Sequence, residues 1–173
     1  MTLPERDCAV IRAELFETFS QALRDRFALP GLAVAPFSPR IFHELAKWPA
    51  ADRYFPHWDW KEIHQRIVNK PCRFEAVLLL DDQPLGVAIG RPSRGWDYLG
   101  IPRLEARPGA HPLAGQIAAT MISLAVLYAA EIQLPEVRLL DPIEELIDFY
   151  VSLGLSVARN ADGELYLMRN SEE

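Results

Sequence analysis

Glu136-Val137-Arg138-Leu139-Leu140-Asp141-Pro142-Ile143-Glu144-Glu145-Leu146-Ile147-Asp148-Phe149-Tyr150-Val151-Ser152-Leu153-Gly154-Leu155 reads as a strand, a capped helix and a glycine stop. Asp141 can accept from the free amides of the first helical turn, Pro142 fits the first helical position, and Glu144 can reach back to complete a capping box. Ile143, Leu146, Ile147, Tyr150 and Val151 then recur at helical spacing, and Gly154 supplies a left-handed stop. This places Tyr150 on the inward stripe, near the C-terminal end of the helix.

Outward from that stretch, periodicity assigns the rest. Pro4 to about Ala28 reads as an amphipathic helix with Cys8, Ile11, Leu15, Phe19, Ala22 and Leu23 on one face and Arg12 elsewhere. Leu32 to Phe37 is a short strand, and Ser38-Pro39 starts a helix over Arg40 to Lys47. An aromatic-rich connection, Trp48 to Trp58, leads to Asp59, which with Glu62 forms a second capping box for a helix through about Asn69. Phe74 to Leu80 and Leu85 to Ile89 flank the turn residues Asp81 to Pro84 and read as a hairpin, with a third strand over Trp96 to Ala106. Pro102 lacks an amide donor, so that strand is at an edge, bulged or splayed there. Leu113 to about Ile132 fits a long helix, and Ser156 to Arg159 with Leu165 to Met168 makes a final hairpin. The result is an α/β (α+β) mixture around a mostly antiparallel sheet.

Composition bounds the function. At 173 residues, with 50% hydrophobic and 24% charged content, the chain suits one soluble domain with a sizeable core. A formal charge of -6 without a Lys/Arg block argues against nucleic-acid binding. Cys8 and Cys72 have no paired metal or redox spacing and read as free thiols in a reducing compartment. Residues 1–10 carry acids among their bases and no uninterrupted apolar span follows, so neither a signal peptide nor a membrane helix is expected, and the location expected is cytoplasmic. His43, His57, His64 and His111 show no ligand spacing, so no metal is expected; no nucleophile elbow, Walker or dinucleotide motif occurs.

Phe149-Tyr150 followed by Ser152-Leu153-Gly154-Leu155 resembles the late helix of the GNAT acyltransferase superfamily, commonly written FYxxxGF. The element order resembles the GNAT fold over roughly Leu32 to Arg169, which implies a GNAT-like domain at 31–173 preceded by an extra helical segment at 1–30. That first helix either caps the sheet or pairs through Ile11, Leu15 and Phe19 with a second copy in a homodimer.

In the family, the strand before the long helix splays from its neighbour and admits the pantetheine arm of acyl-coenzyme A. The resemblance therefore implies cofactor contacts from Leu104, Ala106 and Arg107. The turn into the next helix binds pyrophosphate through free amides and the positive dipole end, a role falling here on Leu113, Ala114, Gly115, Gln116, Ile117 and Ala118. Of the family pattern Q/R-x-x-G-x-G/A only Ala118 fits cleanly: Leu113 replaces Gln or Arg and Gln116 replaces the first glycine, for which Gly115 can substitute if the loop is shifted by one residue. Amides nevertheless remain whatever side chains they carry.

The resemblance makes Tyr150 the candidate acid for the departing thiolate, against the alternative of a core tyrosine. Glu105 is the carboxylate of the splayed strand, either a base toward an amine or a solvent-facing partner of Arg103 or Arg107. Tyr54, His57, Trp58 and Trp60 would form an aromatic acceptor wall, or simply pack their loop on the sheet. The function implied is N-acyl transfer from acetyl-coenzyme A, or a related acyl-coenzyme A, to an amine of a small molecule or peptide. The alternative is a GNAT-like domain without catalysis that binds a partner.

Overall fold

The computed structural model describes residues 2–172; Met1 and Glu173, the outer ends of the two expected segments, lie outside the described residues. The elements are α1 (Glu5–Phe27), β1 (Leu32–Ala35), α2 (Pro39–Leu45), α3 (Trp60–Gln65), β2 (Phe74–Leu80), β3 (Gln83–Pro92) and β4 (Leu99–Ala106). They continue with α4 (Ile117–Glu131), β5 (Glu136–Leu140), α5 (Ile147–Ser152), β6 (Ser156–Arg159) and β7 (Leu165–Asn170). Local chemistry accounts for several boundaries. Ser38 caps α2 by accepting from Ile41 N, and Asp59 caps α3 by accepting from Lys61 N and Glu62 N at 3.0 and 3.2 Å. Glu62 turns outward to Arg66, so the second capping box is only half made. Asp81 and Asp82 both take positive φ, 49° and 66°, in the tight turn joining β2 to β3.

Seven strands form one sheet in the order β1-β2-β3-β4-β5-β7-β6, antiparallel except where β4 lies beside β5. The order of helices and strands matches the expectation, with short 3-10 turns added at Ala50–Asp52 and Glu144–Leu146. Two apolar layers flank the sheet. On one face α1 and α4 bury Phe16, Leu23, Met121 and Leu124 against Phe74, Leu78 and Leu99. On the other, Ile41, Leu45, Trp48 and Trp60 pack on Val77, Val87 and Ile89.

Three expectations are corrected. The buried face of α1 is Cys8, Arg12, Phe16, Ser20 and Leu23, one step round from the expected stripe; Ile11, Leu15 and Phe19 pack at its margin and Ala22 is exposed. A buried arginine and serine are tolerated because both are hydrogen-bonded. Arg12 donates to Arg73 O, Tyr128 Oη and Glu5, and Ser20 Oγ accepts from Val34 N at 2.8 Å. Thus α1 covers the sheet of its own chain.

The two cysteines, expected as free thiols, are joined: the start of α1 packs against the loop before β2, and Cys8 and Cys72 are bonded with Cα atoms 5.1 Å apart. The third correction concerns Asp141, which takes φ 50° at the end of β5 and makes no cap. The chain turns there, runs through Glu144–Leu146 as a 3-10 turn, and becomes α-helical only at Ile147. Tyr150 is buried as expected and Gly154 has φ 93°, but Val151 is exposed.

Candidate active site

β4 and β5 pair only at Leu99–Val137, Gly100–Arg138 and Ile101–Leu139. Beyond Ile101, β4 continues to Ala106 along β3 while its other edge has no strand partner. Pro102 stands where the strands part, and supplies no amide to a neighbour. Its strand is also bulged, because Ile101 and Pro102 together face the single residue Gly90 between the pairs Ile89–Arg103 and Arg91–Gly100. The gap opens into a cavity of about 580 Å³, bounded by β4, the ends of β5 and α5, the start of α4 and the 52–58 connection.

At the α4 end the helix begins at Ile117, four residues later than its apolar run, after a turn in which Gly115 takes φ 81°. That left-handed conformation suits glycine and strains other residues. The amide of Gln116 is used by Leu113 O, so it is not among the available donors. Those of Gly115, Ile117, Ala118 and Ala119 have no backbone acceptor among the described residues, while Thr120 N already bonds Gln116 O. Gly115, Ile117 and Ala118 border the cavity together with Leu104, Ala106 and Arg107; Leu113, Ala114 and Gln116 do not. Leu113 is a core residue at 1% exposure, so a long polar side chain at its position would have no route to an anion. The helix can approach this closely because Gly86 of β3 lies beneath it: a Cβ there would fall 2.2 Å from Ile117 Cγ2.

At the α5 end Tyr150 borders the cavity, and its hydroxyl has no hydrogen-bond partner among the described residues. Burial raises its pKa above the ordinary tyrosine value, so the group stays protonated at neutral pH. Glu105 is not the solvent-facing partner of Arg103 or Arg107, one of the two roles expected of it. Its carboxylate is buried and takes Arg53 Nε and Nη2 at 2.8 Å each, and Trp60 Nε1 at 2.7 Å. It faces neither solvent nor Arg103 or Arg107, and three donors already occupy its two oxygens.

Arg53 was not singled out from the sequence. Its other bond, Nη2 to Trp58 O at 3.0 Å, shows its role: it fastens the 52–58 connection to β4. Trp60 is consequently an anchor under the cavity and not part of its wall. Trp58 does line it, stacked flat on Phe55 at 3.6 Å, while Tyr54 and His57 stand exposed at the rim. Among the described residues no three His, Cys, Asp or Glu side chains gather as a metal site, and no helix is long and apolar enough to cross a membrane.

A mostly antiparallel seven-stranded sheet with one parallel pair splayed beside a helix start is the fold of the GNAT superfamily, and comparison with solved structures shows that this chain has it. An aminoglycoside 6'-acetyltransferase type Ii superposes with a TM-score of 0.60 at 17% identity, covering 80% of this chain and 96% of that one. A spermidine N-acetyltransferase from Vibrio cholerae gives 0.58 at 8% identity, over 83% and 95%. An aminoglycoside 6'-N-acetyltransferase complexed with coenzyme A gives 0.58 at 14%, over 80% and 96%. No protein-family model matches the sequence, and no curated protein matches it.

Proposed function

We propose that the protein is an N-acyltransferase that passes an acetyl group from acetyl-coenzyme A to the amine of a small molecule. The observation that carries this reading is the gap beyond Ile101, which joins a set of free helix-start amides to a protonated, unpartnered Tyr150 in one cavity. The amides of Gly115, Ile117, Ala118 and Ala119, at the positive end of α4, suit a pyrophosphate. The unpaired edge of β4 offers main-chain donors and acceptors to the amides of a pantetheine arm, with Leu104 and Ala106 beside it. Arg107, at the exposed mouth, adds positive charge toward the phosphates.

When bound, acetyl-coenzyme A supplies an activated thioester carbon. The acceptor amine attacks as the free base: nitrogen forms the new bond to that carbon and the carbon–sulfur bond breaks. Tyr150 gives its proton to the leaving thiolate and regains one from water, to which the proton of the new ammonium passes. With both Glu105 oxygens engaged by Arg53 and Trp60, no side-chain base is invoked; alignment of the neutral amine with the thioester lowers the barrier. A cytoplasmic setting fits this reading provided the fold persists with Cys8 and Cys72 reduced.

Calorimetric titration with acetyl-coenzyme A, and with desulfo-coenzyme A for comparison, tests the proposal. Micromolar binding that weakens when Gln116→Glu puts a negative charge at the helix start supports it. No binding at millimolar ligand sinks the transferase reading and favours a domain that has kept the fold and lost the cofactor, the outcome that Gln116 and the buried Leu113 would then explain.

A further inference from the structure

The cleft wall facing the 52–58 connection holds a cation that the fold orders and leaves unpaired. Arg103 of β4 lays its guanidinium over Trp58, 5.0 Å from the ring centroid, and Trp58 is itself backed by Phe55. One nitrogen, Nη1, donates to Pro102 O at 2.9 Å. Among the described residues no carboxylate lies within ion-pair distance of Arg103, in contrast to Arg53, which Glu105 neutralises. The ring contact and the bond to Pro102 O hold the guanidinium at the cavity wall, and among the described residues most of its five N–H donors are still free.

The charge of the cavity lining differs from that of the chain. The protein carries -6, yet the lining holds three acids, Asp52, Glu105 and Asp141, against three arginines, Arg53, Arg103 and Arg107. The one buried acid is already paired with Arg53, and Asp52 and Asp141 are exposed. A polycationic acceptor would therefore find no buried free carboxylate, whereas an anionic group would find an ordered, unpaired arginine.

We infer that the acceptor is a small amine bearing a carboxylate beside an apolar or aromatic body, an amino-acid-like molecule. Its carboxylate lies on Arg103 and its body against the Trp58 and Phe55 stack. This inference rests on the acyl-transfer reading above. The carboxylate takes no part in bond making: the amine nitrogen gains the acyl group, the carbon–sulfur bond breaks, and the thiolate is protonated. Arginine suits the task because a planar fork meets a carboxylate with two charge-assisted hydrogen bonds.

The test uses the full chain, acetyl-coenzyme A and amines in matched pairs that differ by the carboxylate: phenylalanine with phenethylamine, leucine with isopentylamine, and spermidine as a polycation. The acid of at least one pair is expected to show a KM lower by about tenfold or more, the scale of a charge-assisted hydrogen bond. Arg103→Leu should raise that KM and erase the preference within the pair, and Arg103→Lys should restore part of it. Coenzyme A titration of each variant verifies that the fold and the cofactor half persist. A preference for spermidine or for the decarboxylated amines overturns the inference while leaving the transferase. So do a loss in Arg103→Leu that falls equally on both members, and acetylation of no acid by a protein that binds coenzyme A. If the native protein does not bind coenzyme A, the acyl-transfer reading itself fails and the acceptor class falls with it.

Discussion

Tyr150 is a buried side chain that borders the cavity, and its hydroxyl has no protein partner among the described residues. If it is the acid, Tyr150→Phe lowers kcat by about 10²-fold, the lower end for general acid catalysis, without a matching loss of coenzyme A affinity. Because burial raises its pKa, any alkaline loss from this group should set in above the pH at which an ordinary tyrosine titrates. An unchanged kcat in the phenylalanine variant would return Tyr150 to a packing role. Glu105 makes the opposite case. Its two bonds to Arg53 and one from Trp60 tie the 52–58 connection to β4, so Glu105→Gln should raise the acceptor KM and leave the acid limb of the kcat profile in place. A kcat fall of about 10²-fold or more with loss of that limb would instead mark it as a base.

At the scale of elements, α1 is the addition that most changes the molecule. It lies across the sheet beside α4, and Cys8–Cys72 bonds its start to the loop before β2, closing a separation of 64 residues. A loop of that order contributes about 4 kcal/mol in the chain-entropy estimate. Both sulfurs are fully buried, so reductant acts where the region opens. Cys8→Ala should lower the denaturant midpoint by an amount equivalent to about 2–4 kcal/mol; identical midpoints, or native intact mass showing two free thiols, would count against the bond. The sequence announces almost none of this. Helix and strand periods locate α1 and β2, yet their juxtaposition is a tertiary fact, and no spacing of two cysteines encodes it. The rotation of the α1 face has a related cause. Arg12 looks solvent-facing until its acceptors at Arg73 and Tyr128 are brought near from 61 and 116 residues away.

At the scale of the whole chain, structure set locally is legible in the sequence and structure set by distant partners is not. Strand alternation, Ser38, Asp59 and Gly154 foretell their elements, and Pro102 foretells the bulge. The Arg53–Glu105 lock and the Asp141 turn depend on contacts no window contains. The longest such contact set crosses the sheet at the start of β2: Glu5 and Arg12 of α1, Arg73 and Glu75 at the strand, and His64 of α3. Tyr128 joins it, its hydroxyl pushed up to about 12 chiefly by burial. Burial alone would raise the Glu75 carboxyl, but the His64 hydrogen bond and the charges of Arg73, His64 and Arg12 outweigh it, and the net shift is downward. A depressed carboxylate stabilises the fold above its unfolded value, about 4.3, and that contribution is lost as pH falls through the folded value. Native stability should therefore decline through and below that window, and Glu75→Gln should cost about 1–3 kcal/mol at pH 7, since it strips buried donors of a charged acceptor. Urea midpoints measured from pH 7 down to pH 3 should show the two proteins converging as acid removes from the native chain what the variant already lacks. Curves that stay parallel would mean that Glu75 is not ionised in the fold at neutral pH and that its ion pairs do not help to hold α1 and α3 to the sheet.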